Sequence, residues 1–130
     1  MQKTMKKAGK GLSIEFNLDE SKFKESIVDI PAEADYKTYN SIIGSQSIDI
    51  VEFNEQYDIV VDDEGLLVSR NPIIRVHTPY GTVDLAGKLL FLRRVDTDEG
   101  ISSSGMNPGE VLELLFKLDS NIELIGVCNL

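Results

Sequence analysis

Tryptophan is absent from this chain of 130 residues, and histidine and cysteine occur once each, as His77 and Cys128. A single cysteine excludes an internal disulfide framework and fits a reducing, intracellular setting. One histidine and one cysteine cannot furnish the four ligands of a structural zinc site. A Cys–His nucleophile pair also needs a third group to orient it, and Cys128 sits in an apolar segment that reads as core. Asp62-Asp63-Glu64 lack the D-x-D-x-D-G spacing of a calcium loop, and beside Gly65 they read as an exposed turn. No apolar run approaches the roughly 18 residues of a membrane span, and the basic N-terminus has no apolar segment of the secretory kind. The expectation is a cytoplasmic protein with no membrane partner, no cofactor, no metal and no catalytic residues, and so not an enzyme.

What is present is an ordinary globular composition, 42% hydrophobic and 27% charged, at a length that suits one domain. Charge is unevenly spread. The net charge is −9, yet Lys3, Lys6, Lys7 and Lys10 fall in the first ten residues with no acid among them. From residue 11 onward nine basic residues face 22 acidic ones, a balance of −13. Inside that acidic body residues 65–95 reverse the sign, with Arg70, Arg75, Lys88, Arg93 and Arg94 against Asp84 alone. Such a field repels polyanions, so no nucleic-acid partner is expected, while the island can attract a compact anion.

Periodicity predicts the elements. Residues 1–11 read as a flexible basic tail and residues 12–130 as one small α+β domain, with about six mainly antiparallel strands and two or three helices. Residues 12–17 alternate apolar and polar, the pattern of a half-buried strand. Phe23, Ile27 and Val28 at helical spacing, with Ser21 as N-cap, suggest a helix over residues 19–28. Residues 32–43 form a second helix stopped by Gly44. Residues 48–53 and 57–61 pair as a hairpin around Asn54-Glu55-Gln56, and 66–68 read as a short strand. Asn71-Pro72 opens a helical turn through Val76, although this β-branched run suits extended structure equally. Pro79-Tyr80-Gly81 is a turn. Residues 88–95 are apolar on both faces, with Leu89, Phe91 and Arg93 on one side and Leu90, Leu92 and Arg94 on the other, so they form a central strand. Residues 96–106 read as a mobile Ser/Gly-rich loop. Asn107-Pro108-Gly109-Glu110 opens a capped helix to about Leu118 that buries Val111, Leu112, Leu115 and Leu118 and exposes the Glu113/Lys117 pair. Residues 122–127 close the chain as a strand.

The candidate ligand-binding residues are Arg70, Asn71, Arg75, His77, Thr78, Tyr80, Arg93 and Arg94. Guanidinium forks suit phosphate because they donate two parallel hydrogen bonds in one plane. Asn71, His77 and Thr78 add hydrogen bonds, and Tyr80 can stack on a base. Helix starts expected at Pro72 and Pro108 present free N–H groups to anions. A competing reading pairs the same cations with the acids around them, within the fold or across a subunit interface.

Five segments in order carry a family likeness: residues 36–44 (YKTYNSIIG), 48–53 (IDIVEF), 61–67 (VDDEGLL), 71–73 (NPI) and 84–92 (DLAGKLLFL). Over about residues 35–95 the chain resembles a family of small uncharacterised proteins common in phages and mobile elements. The resemblance implies a phage-like origin and a setting in the host-cell cytoplasm, and it brings no catalytic residues. Proteins of that origin often act by stoichiometric binding. The first expectation is an anti-defence protein that sequesters a nucleotide-type immune signal without chemistry. Its ligand would be a small phosphate-containing molecule such as a cyclic nucleotide or an ADP-ribose derivative, held between subunits of a homo-oligomer. The alternative is an acidic inhibitor or nucleic-acid mimic that docks on a host defence protein. The cation island favours the first, and the −13 body favours the second.

Overall fold

Leu89, Leu90, Phe91 and Leu92 are each completely buried, and a strand buried on both faces needs a layer on either side. A computed structural model, which describes residues 8–129, supplies both layers. The elements are β1 (Gly9–Asn17), β2 (Lys22–Ile30), α1 (Tyr36–Ile43), β3 (Ile48–Glu52), β4 (Tyr57–Asp62), β5 (Pro72–Thr78), β6 (Gly81–Ala86), β7 (Leu89–Thr97), β8 (Gly100–Ser104), α2 (Pro108–Leu118) and β9 (Ile122–Val127). The larger sheet runs β2-β1-β7-β4-β3, with β8 also on β7, and the smaller runs β6-β5-β9. All pairings are antiparallel. The architecture is α+β, and no helix among the described residues is long and apolar enough to cross a membrane.

Strand β7 sorts the core. Leu89 and Phe91 join Leu12, Ile14, Tyr57 and Ile59, the small-sheet residues Ile74, Val76 and Leu85, and Val111, Leu114 and Leu118 of α2. Leu90 and Leu92 face the other way, with Val60, Ile30 and Tyr39 of α1. Beyond Leu92 the same alternation carries Arg93 toward α2 and Arg94 toward the α1 side. One edge of β7 pairs with β4, and the other is shared end to end by β1, over Leu89–Phe91, and β8, over Arg93–Thr97. Gly9 and Gly105 meet where those two strands abut. A Cβ on Gly105 would lie 2.7 Å from Gly9 backbone atoms, so a side chain is excluded there.

Several local expectations are corrected. Residues 19–28 are not helical, because β2 pairs with β1 in unbroken register from Gly9↔Ile30 to Asn17↔Lys22. Ser21 adopts φ 53° in the connecting turn, and Phe23 meets Phe16 edge-on at 5.1 Å. A nine-residue ladder outweighs a weak helical spacing. Gly65–Leu67 form a 3-10 turn rather than a strand over 66–68. Pro72 begins β5, which is flanked on both sides by partners, so no helix starts there. The expected mobile loop over 96–106 is largely the β7–β8 hairpin; its Ser/Gly composition conceals a strand whose Ser103 and Ser104 are buried. In α2 the buried stripe is Val111, Leu114 and Leu118. Leu112 is 60% exposed and Leu115 only partly buried, since the helix is rotated from the face expected. Nine strands and two α-helices therefore stand among the described residues, against about six strands expected. Of the expected tail, residues 9–11 belong to β1, and residues 1–7 lie outside the described residues.

Other expectations hold. Helix α1 ends at Gly44 in the left-handed region, although it begins at Tyr36 behind the Asp35 cap rather than at residue 32, and α2 begins with a reciprocal Asn107–Glu110 capping box. Cys128 is buried, its Sγ 3.8 Å from the Gly65 carbonyl oxygen.

Candidate functional site

The basic island does not converge on one surface. Arg75 alternates with buried Ile74 and Val76, so it stands on the outer face of the small sheet. There it holds Asp84 in a fork, Nε to Oδ1 at 2.9 Å and Nη2 to Oδ2 at 3.0 Å. These hydrogen bonds hold Asp84 below the usual carboxylate range. His77 shares this face, its Nε2 3.4 Å from Glu123 Oε1. Arg93 turns to α2, its Nε 3.5 Å from Glu110 Oε2, beside a cleft of about 360 Å³ that Lys10 and Asn107 also line. Arg94 turns to the opposite face and pairs with Glu52. Lys88 donates to the carbonyl of Ile42 at the end of α1. Arg70 is exposed in a turn at φ 66°. Asn71 uses its amide to hold the Gly65 carbonyl at 2.9 Å.

Three of the sequence-nominated residues do come together. Thr78 closes the β5–β6 turn, donating to Gly81 O at 2.7 Å and accepting from the Tyr80 amide at 3.1 Å. That turn lies against the β3–β4 turn, and two adjoining clefts of about 320 Å³ each open between them. Both touch Asn54 and Pro79; one is lined by His77, Thr78, Lys117 and Asn121, and the other by Tyr80, Glu55 and Gln56. The Tyr80 ring is 59% exposed. Partial desolvation, with Glu52 and Glu55 nearby, raises its hydroxyl above the ordinary tyrosine range.

A further group of residues was not nominated from sequence. Asp58 on β4, Glu52 on β3, Arg94 on β7 and Ser103 on β8 share the face that carries α1, because each pairs with, or alternates from, residues of that side. They line an open slot of about 270 Å³ with Ile50, Ile101 and Ser102. Asp58 and Ser103 are buried, and Ser103 Oγ donates to Asp58 Oδ2 at 3.0 Å. Tyr39 of α1 reaches the Ser103 carbonyl at 3.4 Å. Burial pushes the Tyr39 hydroxyl up to about 12. Burial likewise raises the Asp58 carboxyl, against the opposing pull of the Ser103 hydrogen bond and Arg94. The signal for Asp58 was an acid inside the apolar run YDIVV (residues 57–61), which a strand buried on both faces cannot leave in solvent. Ser103 gave no such signal, since its segment read as a loop.

The fold defines a two-sheet α+β domain with an open, mixed-charge slot on one face and an acidic exterior. The model of the domain of unknown function DUF3846 matches residues 17–114, and the chain belongs to that family. The match encloses residues 35–95, over which the segment likeness runs. No curated protein and no solved structure matches the chain.

Proposed function

We propose that the protein is a non-catalytic binding protein of phage or mobile-element origin. It acts in the host cytoplasm by docking its acidic surface on a basic face of a host defence protein. The observation that carries this reading is the distribution of the arginines. Arg75, Arg93 and Arg94 each lie against a carboxylate on a different face, so three of the island's five cations are used in internal pairing while residues from 11 onward carry −13. A strongly acidic surface speeds and orients encounter with a basic partner.

The test is affinity capture from host lysate at low and high salt. It compares the wild-type protein with a variant neutralised at the exposed turn, Asp62→Asn, Asp63→Asn and Glu64→Gln. The expected result is a basic protein retained in fixed stoichiometry at low salt, released by high salt, and retained less by the variant. Equal retention by both proteins at both salts would overturn the reading.

A second reading has its own observation, the exposed Tyr80 ring beside His77, Lys117 and Asn121. That group suits a small ligand with a planar base and a phosphate, such as a cyclic nucleotide or ADP-ribose derivative, in a homo-oligomer whose neighbouring subunit closes the cleft. A nucleotide panel read by thermal shift decides it. A ligand at a hundred times its dissociation constant stabilises a fold by about 2.7 kcal/mol, and the shift should vanish in Tyr80→Ala.

A further inference from the structure

We propose that the slot on the α1 face receives a lysine or arginine side chain of the basic protein partner, with Asp58 and Glu52 as its carboxylate floor and Ile50 and Ile101 as its apolar rim. This rests on the acidic-docking reading and names the place where docking becomes specific.

The first support is a carboxylate with acceptor capacity facing the slot. Asp58 Oδ2 accepts from Ser103, and Arg94 Nη1 stands 4.0 Å from Oδ1, too far for a hydrogen bond. A carboxylate offers about four acceptor sites, and Asp58 lines an open slot, so a donor can approach it from outside.

The second support is charge. Glu52 and Asp58 share the single guanidinium of Arg94, which leaves one negative charge uncompensated when both are ionised. An incoming cation completes the set, and a neutral or anionic group does not. The third is shape. Ile50 and Ile101 come from strands on opposite sides of the β4–β7 pair and are 50% and 64% exposed. Lysine and arginine lay an aliphatic stem along such surface while the charged head reaches a carboxylate, and neither a metal ion nor a small inorganic cation uses that rim.

The test is titration of a dye-labelled tetralysine peptide into the full-length protein, read by fluorescence anisotropy. Asp58→Asn and Glu52→Gln, each checked by melting temperature, should weaken binding at least about tenfold, as removal of a carboxylate from a desolvated pair does. Glu52 sits at a partly exposed edge position, so its variant keeps the test open if Asp58→Asn folds poorly. Ile101→Ser should weaken binding by a smaller factor. The exposed-turn variant of residues 62–64 should weaken it only as far as salt screening does. Wild-type affinity in both slot variants, with loss in the turn variant, would overturn the slot and leave the docking reading standing. Absence of tetralysine binding by the wild-type protein would also overturn the slot, and the salt-sensitive capture above would then judge the docking reading alone. Displacement by free spermidine at equal concentration would identify a small polyamine as the occupant and overturn the protein partner.

Discussion

Burial holds the Asp58 carboxyl above its ordinary value, Ser103 and Arg94 pull it back, and Glu52 adds to the rise. The consequence for stability has a definite sign. A carboxyl raised on folding binds its proton more tightly in the folded state, so its contribution is most favourable below the unfolded value of 3.8. It declines as pH rises through the folded value. Asp58→Asn removes that decline. The variant should gain melting temperature relative to wild type between about pH 4 and neutrality, and the gain should disappear in stronger acid. Asp84 runs the other way. Hydrogen bonds from Arg75 lower it, so its pair favours the fold above the ordinary value of 3.8 and that contribution is lost as pH falls through the folded value. Carboxyl chemical shifts followed through an acid titration should therefore show Asp58 protonating before Asp84 as the pH falls. The residue types were legible in sequence, and their opposite behaviour was not: Arg75 and Asp84 are nine positions apart, brought opposite one another by the β5–β6 register.

At the scale of elements, α2 separates what helical spacing tells from what docking decides. Its cap, its proline and its length follow from local sequence. Which face it buries depends on how the helix is rolled against the sheets, and the roll selects Leu114 over Leu112. Leu114→Ala should cost about 2–5 kcal/mol, while Leu112→Ala should stay within about 0.5 kcal/mol, both measured by urea unfolding. The junction of β1 and β8 makes a sharper demand. Gly105→Ala places a Cβ 2.7 Å from Gly9 backbone atoms, and overpacking of that kind should cost about 1–3 kcal/mol. The β7–β8 hairpin gives a dynamic prediction. A ladder from Arg93↔Ser104 to Thr97↔Gly100 should slow amide hydrogen exchange at alternate positions of residues 93–104, whereas a mobile loop would exchange at the unprotected rate. Ser and Gly form strands poorly on their own, so this hairpin exists through its partner β7 and not through its composition.

For the whole molecule, the decisive fact is that five basic residues close in sequence are spread around the fold. Arg75, Arg93 and Arg94 lie on separate faces with separate carboxylates. Their effects should therefore be independent, and the loss in an Arg75→Ala, Arg94→Ala double variant should equal the sum of the single losses. A shared anion pocket would make them coupled. The amino-acid sequence by itself determined the central strand with two apolar faces, the glycine stop of α1, the N-terminal cap of α2, the β3–β4 hairpin and the acidic balance of the body. Each of these depends on neighbours a few positions away or on composition. The alternation of Arg93 and Arg94 to opposite sides was equally readable, because side chains of a strand alternate wherever the strand lies. Only the tertiary structure decided that β2, β5 and β8 are strands, and that Asp58, Glu52, Arg94 and Ser103 face one slot. Those outcomes rest on pairings between segments up to about eighty residues apart, such as β1 with β7, and the free energy of a ladder resides in both strands together rather than in either one alone.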